Sequence, residues 1–569
     1  MRYLALATDY DGTLATHGAV PPRALAALQR ARDMGRRLIL VTGRVWPELQ
    51  TVFPGYRVFH RIVAENGALL VDPETSEQTL LGATPPERFV ERLRELHVDP
   101  ISIGRVVVAT WEPWQHAVLE AIRELGLELQ VSFNKGAVMV LPSGVNKASG
   151  LSAALAQLGI SCHNCVAVGD AENDHALLAQ SQLGVAVANS IAVLKDHADW
   201  TTLGERSDGV VELIDEWLGT DLCARTSKHG RMMLTLGRTE GGEPYKIPVQ
   251  GSRLLICGRS GSGKSSLTSA LLEQLTDAEY QYCLLDPEGD FQTAAGRVVM
   301  GDAEHRPDPA EVVKALAATP ANVVVNLLGV PFEERTAFGT LLLKQLKHHQ
   351  DVYGRPHWVV IDEAHHLLGQ GADIKLSELH EDSSSTVLVT VHPSHLHPGE
   401  LARIDTLVIV GTAPQETLHE LSTSRGLDLP LLDEPVLEPG HVVVWSRLYP
   451  FELVKLAQLE SRQERRRHQR KYAVGELGPD KSFYFRGRSG ALNLRAHNLA
   501  LFLQMADGLD PETWRYHLER NDYSTWLRDA VKDSELADEV RQIEDRPDEA
   551  DLSRALVRKA IDRRYTLPA

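Results

Sequence analysis

The chain has 569 residues, 43% hydrophobic and 24% charged, enough for roughly three or four domains at ~150 residues each, which excludes bulk disorder. Lys+Arg 59 against Asp+Glu 77 leaves a net charge of −18, which argues against a surface coated for non-specific nucleic-acid binding but leaves a local basic channel open. Five cysteines are too few for a disulfide scaffold and suit a reducing, cytoplasmic setting, and no apolar run reaches the ~18–20 residues of a membrane-spanning helix.

From Tyr3 to about Trp217, short apolar runs (YLALAT, RLILVTG, CVAVGD) alternate with amphipathic stretches. This rhythm predicts an open, mostly parallel α/β sheet over residues 1–220. Between about 83 and 144 the rhythm loosens, and an inserted α+β subdomain is expected. DYDGT, which already stands at Asp9 to Thr13, makes a cleavable signal improbable. No repeat of fixed period is found.

LALATDYDGT places Asp9 and Asp11 where an apolar strand ends, which is where open parallel sheets build active sites. One carboxylate can attack phosphorus while the second, two residues on, protonates the leaving oxygen and later activates water. Later strand ends carry Thr42, Lys147, Asp170 and Asp174. A hydroxyl, an ammonium and further carboxylates suit a phosphoryl group and a divalent cation.

These motifs, in this order, resemble the haloacid dehalogenase superfamily phosphatases of the Cof type. The resemblance implies a Rossmann-like core with a cap inserted at about 83–144. It makes Asp9 the nucleophile, Asp11 the general acid/base, and Thr42 and Lys147 the phosphoryl contacts. Asp170 would ligate Mg²⁺ with support from Asp174, and Asp9 and the Asp11 carbonyl would complete the protein's share of the metal shell. Asn189 would lie near the phosphate. The ENG at Glu65 to Gly67 resembles part of this group's cap arrangement, and the expected substrates are phosphorylated small molecules.

The polar stretch Gly219 to Arg231 reads as a linker, and a second α/β series (RLLICG, YCLLD, VVVNLL, WVVID, TVLVTV, TLVIVG) fills residues 221–460. GRSGSGKS, Gly258 to Ser265, stands between strand and helix patterns as a phosphate-binding loop should. Gly258, Gly261 and Gly263 let backbone N–H groups converge, Lys264 reaches the terminal phosphates, Ser265 can bind Mg²⁺, and Ser266 adjoins it. In HWVVIDEAHH, Asp362 can hold Mg²⁺ and Glu363 can activate water, which favours ATP hydrolysis over transfer to an alcohol. DEAH spells a helicase motif, yet no second nucleotide-binding lobe follows. KIPVQGSRLLICG, LLDPEGDF (Leu284 to Phe291) and VLVTVHPSHL (Val387 to Leu396) instead resemble ATPases of the HerA/FtsK type. That resemblance implies a RecA-like domain in a homo-oligomeric ring, six copies being one option, with DNA as an open partner. Relatives carry a glutamine where His392 stands here. Arg335, Arg403 and Arg425 are candidates for an arginine donated between subunits.

The charged run Glu460 to Tyr472 leads into a small C-terminal module, residues 461–569, expected to be α-helical, with Trp514, Leu518, Trp526 and Leu527 in its core. Arg462 to Lys471 reads as a solvated helix or a phosphate contact, and the Arg486, Arg488, Arg495 and His497 group adds no mechanism. A zinc site at Cys162 and Cys165 lacks a second pair. The histidines 365, 366, 392, 395 and 397 read as nucleotide-facing or solvated rather than as a metal cluster. The leading reading is a Mg²⁺-dependent phosphatase fused to an ATPase, without a membrane partner. A kinase–phosphatase acting on nucleic-acid ends and an ATP-driven switch controlling the phosphatase are the alternatives.

Overall fold

The computed structural model describes residues 2–225, 233–259, 261–291, 296–369, 385–411, 414–423, 440–447, 449–458, 482–487, 492–531, 533–546 and 549–565. It divides into two compact units, Met1–Lys264 with Gln274–Gln458, and Ser265–Glu273 with Leu459–Ala569.

In chain order the first strands are β1 (Ala5–Asp9), β2 (Arg37–Val41), β3 (Arg61–Ala64), β4 (Leu69–Val71) and β5 (Gln78–Leu80). Then come β6 (Ser102–Ile103), β7 (Val108–Trp111), β8 (Leu129–Asn134), β9 (Ala137–Pro142), β10 (Cys165–Gly169), β11 (Leu183–Ala186) and β12 (Trp200–Thr201). The core sheet runs β12-β11-β10-β1-β2-β3-β4-β5, with β4 and β5 antiparallel at one edge. Helices α1 (Pro22–Asp33), α2 (Trp46–Val52) and α8 (Arg206–Thr220) cover one face, and α5 (Lys147–Leu158), α6 (His175–Gln180) and α7 (Ala192–His197) the other. Alternate residues divide between the faces: Leu6, Leu38, Leu40, Val166 and Val168 pack on one side, Ala5, Ala7, Ile39, Val41 and Ala167 on the other. Coverage on both sides explains why these strands read as unbroken apolar runs. The inserted cap is an antiparallel sheet, β6-β7-β9-β8, on which α3 (Glu87–Glu95) and α4 (Gln115–Glu124) bury Phe89, Leu93, Val118 and Ala121.

The second sheet adds β13 (Met233–Arg238), β14 (Pro244–Pro248), β15 (Arg253–Cys257), β16 (Tyr282–Asp286), β17 (Arg297–Met300) and β18 (Asn322–Asn326). It continues with β19 (Trp358–Ile361), β20 (Ser385–Thr390), β21 (Thr406–Val410), β22 (His441–Ser446) and β23 (Tyr449–Gln458). Its order is β14-β13-β23-β22-β21-β15-β20-β19-β16-β18-β17. The stretch from β21 to β17 is parallel, as expected. The remaining strands, β22, β23, β13 and β14, pair antiparallel, so the sheet is mixed. A hairpin at the C-terminal end and another at the N-terminal end need no crossover helix, and this lets them extend the parallel core. Helices α10 (Pro309–Ala318) and α11 (Phe332–Tyr353) supply Val312, Leu316, Phe338, Leu342 and Leu346 to its core.

The C-terminal module is not purely helical. β24 (Phe483–Phe485) pairs antiparallel with β25 (Leu494–Ala496), and among the described residues five helices follow between Leu499 and Tyr565. Phe483 and Phe485 alternate inward with period two and join Phe502, Trp514, Tyr523 and Trp526, so the FYF run obeys strand rather than helix spacing. Trp514, Leu518, Trp526 and Leu527 are core residues.

Candidate active site

Parallel register sets the first site. Asp9 ends β1, opposite Val41 of β2, and Thr42 follows directly; Thr8 pairs with Val168 of β10, whose end leads to Asp170. Lys147 is the first residue of α5, and its placement is locally encoded. Asn146 Oδ1 accepts from the amides of Ala148 and Ser149, while Ser149 Oγ accepts from the Asn146 amide, a reciprocal cap that fixes where the helix begins.

The buried Lys147 Nζ donates to Asp9 Oδ1 at 2.6 Å and to Asp174 Oδ1 at 2.7 Å. Asp174 Oδ2 accepts from the amides of Asp170 and Ala171, 2.9 and 3.0 Å. Burial would lower the Lys147 ammonium, but Asp174 and Asp9 more than reverse this and hold it charged. Burial pushes Asp9 up to about 7 against the pull of Lys147, with Asp174 and Asp170 adding to the rise. A nucleophilic carboxylate in such a place needs more positive charge than one lysine.

The donor set fits a hard divalent cation. Carboxylate oxygens of Asp9, Asp170 and Asp174 lie within 4.8 Å of one another, the one such convergence of ligand side chains among the described residues, and oxygen donors suit Mg²⁺. Space is kept open by Gly12, at φ +87, where a Cβ would stand 2.3 Å from Asp170 Oδ2. Asn189 Nδ2 donates to the Gly12 carbonyl at 2.9 Å and approaches Asp170 Oδ2 at 3.3 Å, and Thr13 Oγ1 donates to Asp170 Oδ1.

Sequence reasoning missed Arg44 and Lys135 and noted Glu65 only as part of the ENG motif, without its contacts. Arg44 grips Asp11 with two bonds of 2.7 Å, and its amide donates to Thr42 Oγ1. Lys135, from the cap turn between β8 and β9, places Nζ 2.5 Å from Asp170 Oδ2 and 3.3 Å from the Asp11 carbonyl oxygen. Glu65, buried at φ +52, accepts from the amides of Arg105, Val106 and Val107 of the cap at 2.8–3.1 Å. The basic type of Arg44, two residues beyond Thr42, was a usable signal. The other two depend on long-range pairing.

The second site lies at the ends of parallel strands. At Gly258 (φ +149) a Cβ would stand 2.0 Å from the Val410 carbonyl oxygen, and Gly261 and Gly263 also take positive φ. Lys264 Nζ donates to the carbonyls of Gly258 and Arg259, both at 3.0 Å. Ser265 and Ser266 follow it in the first turn of α9 (Lys264–Asp277). Asp362 follows β19 and is pushed up to about 7 by burial and then by Glu363 and Asp286. Glu363 takes φ +41 and is raised by burial, which Lys264 opposes. Asp286, ending β16, accepts from the amides of Asp290 and Phe291 and so folds the DPEGDF loop.

The histidines gather here. His365 Nδ1 lies 3.0 Å from Thr390 Oγ1 and 3.4 Å from Glu363 Oε2, and the rings of His392 and His395 stack at 4.9 Å. Burial and then His366 hold His365 down at about 4, as a neutral imidazole. The His392 amide donates to Thr390 Oγ1. Arg335 Nε donates to the Val330 carbonyl and, after burial, helps to depress His366, and the Arg403 amide donates to the Glu400 carbonyl. Arg425, Arg488 and the stretch Arg462 to Lys471 lie outside the described residues. Cys162 and Cys165 are free thiols, both raised by burial. No described helix is long and apolar enough to cross a membrane.

Residues 6–101 and 112–214 match the haloacid dehalogenase-like hydrolases, and residues 250–398 match an AAA domain. The chain is 28% identical over 229 residues to a phosphoglycolate phosphatase of Methanothermobacter thermautotrophicus, covering 38% of this chain and 99% of the relative. It is 32% identical over 233 residues to the phosphoglycolate phosphatase of Halorubrum lacusprofundi, 39% and 98%. A third relative, 5-amino-6-(5-phospho-D-ribitylamino)uracil phosphatase of Bacillus subtilis, is 26% identical over 238 residues, 37% and 95%. The chain therefore belongs to the haloacid dehalogenase-like hydrolase family, as an enzyme that joins a phosphatase of that type to an AAA ATPase domain.

Proposed function

We propose that the N-terminal domain, residues 1–220 with its cap at about 83–144, is a Mg²⁺-dependent phosphomonoesterase working through an aspartyl phosphate. The observation that carries this reading is Lys147 bridging Asp9 and Asp174 at 2.6 and 2.7 Å. Asp9 attacks phosphorus and the bond to the leaving oxygen breaks, with Asp11 giving that oxygen a proton. Asp11 then takes a proton from water, which attacks the aspartyl phosphate and releases inorganic phosphate and free Asp9. Lys147 holds Asp9 in line, and Thr42 contacts the phosphoryl group. Mg²⁺, held by Asp9, the Asp11 carbonyl and Asp170 with Asp174 behind, would supply charge neutralisation. Arg44 keeps Asp11 oriented until substrate enters. The substrate class is a small phosphorylated metabolite, a reading supported by the relatives' names, phosphoglycolate among them.

Residues 221–460 would form an ATPase of HerA/FtsK type that assembles into a cytoplasmic ring, with residues 461–569 as an accessory module. Lys264 and Ser265 would meet the nucleotide phosphates and Mg²⁺, Asp362 would hold the ion, Glu363 would activate water and His392 would sense the terminal phosphate. The deciding experiment assays phosphorylated metabolites and nucleic-acid 5′ and 3′ phosphates, with and without ATP, against wild type, Asp9→Asn and Lys264→Ala. Release of phosphate from a small metabolite by wild type and Lys264→Ala but not by Asp9→Asn supports the reading. Activity confined to nucleic-acid ends would overturn it.

A further inference from the structure

The cap delivers an ammonium to the reacting carboxylates. Lys135 and Gly136, at φ +47 and +87, form a two-residue turn pinned by the pairing of Asn134 with Ala137; such a mirror-image turn holds its backbone tightly between two strands. From that anchor Lys135 Nζ reaches Asp170 Oδ2 (2.5 Å) and the Asp11 carbonyl oxygen (3.3 Å). Both oxygens belong to the set that would hold the divalent cation. An ammonium and a metal ion are alike in sign and compete for lone pairs on these oxygens, so binding of the ion weakens the hold of Lys135 on them.

Displaced from Asp170, the ammonium stays tethered on the cap side. Asp9 lies at the core strand ends, so a phosphoryl group bound there points its organic part away from the core, toward the elements that cover the site. The Lys135 turn is such an element, and its side chain is about half exposed. We infer that Lys135 is a specificity-determining residue: it yields Asp170 and the Asp11 carbonyl to the divalent ion and pairs with an anionic group on the leaving-group side of the substrate. Phosphomonoesters with a carboxylate or second phosphate near the ester are selected over those with a neutral organic part. This rests on the phosphomonoesterase reading.

Two measurements on the full chain test it. Calorimetric titration with Mg²⁺ alone should show Lys135→Met binding the ion about tenfold more tightly than wild type, the scale of one charge-assisted contact removed; equal or weaker binding overturns the inference. In kcat/KM, Lys135→Met should lose about tenfold more on phosphoglycolate than on ethyl phosphate, with Lys135→Arg restoring most of the preference. Equal losses on both substrates overturn the inference and leave the phosphatase reading standing. Absence of wild-type turnover on every phosphomonoester removes that reading and the inference with it.

Discussion

His163 lies flat on Tyr280, ring centroids 3.7 Å apart and planes inclined by 14°. One residue precedes β10 of the phosphatase core and the other precedes β16 of the P-loop sheet. Around the stack, His163 Nε2 lies 2.9 Å from the Ala278 carbonyl, the Tyr280 hydroxyl donates to Gln182 Oε1, and Asn164 Nδ2 donates to the Gly354 carbonyl. His357 links the two sides, with Nε2 3.2 Å from Asn164 Oδ1 and Nδ1 accepting from the Gln281 amide.

Burial, and then His163 and Arg355, hold His357 well below the usual 6.5, and burial lowers His163 as well. The unfolded chain therefore takes up protons first as pH falls, so the stability these neutral rings contribute is complete above 6.5 and is lost below it. Stability against thermal unfolding should fall below that pH by up to about 1.4 kcal/mol per pH unit for each ring. His357→Gln should flatten the acid limb; an unchanged slope would exclude this histidine as its source.

Lys147→Met leaves two buried carboxylates facing each other, and should destabilise the fold by about 3–5 kcal/mol while abolishing phosphatase turnover. Asp9→Asn removes one of those charges, so it should keep or raise the melting temperature and still lose at least about a thousandfold in kcat. Paired melting and rate measurements separate the two.

Arg44→Ala frees the Asp11 carboxylate. Its kcat should fall about tenfold to a hundredfold with KM nearly constant, because Arg44 touches the acid rather than the phosphoryl group. Steady-state kinetics that showed only a raised KM would instead place Arg44 on the substrate.

Chelation should silence both activities. Mg²⁺ at about a hundred times its Kd should stabilise the phosphatase core by about 2.7 kcal/mol, and Asp170→Asn should lose that gain in differential scanning fluorimetry.

With γ-labelled ATP, label should appear as free phosphate in water; label on a 5′ end would mark the domain as a kinase. Glu363→Gln should keep nucleotide binding with turnover reduced about a hundredfold or more, and Lys264→Ala should lose binding in the same filter assay.

The carboxylates of both sites were legible because a strand buried on two faces is an apolar run, and the acid that ends it is conspicuous. Asp9, Asp170 and Asp362 all stand out in this way. Lys147 was legible through its motif, and the Asn146 cap shows why the motif holds. Arg44 was overlooked beside Thr42, although the local sequence contained it. Lys135 could not be read, and Glu65 was legible only as part of ENG, since each acts across more than thirty residues of chain and no periodicity records such a pairing. The C-terminal hairpin was hidden because three residues of alternation are too few to outweigh the helical spacing around them.

Glu65 clasps three successive amides of the cap with a carboxylate that belongs to the core. Since the clasp reads only main chain, it makes no demand on the exposed Arg105 side chain, whereas Val106 and Val107 are buried and answer to packing. The cap is thus tied to the core at a point that puts little constraint on its exposed surface, and substitutions there can change what it offers a substrate while the tie persists.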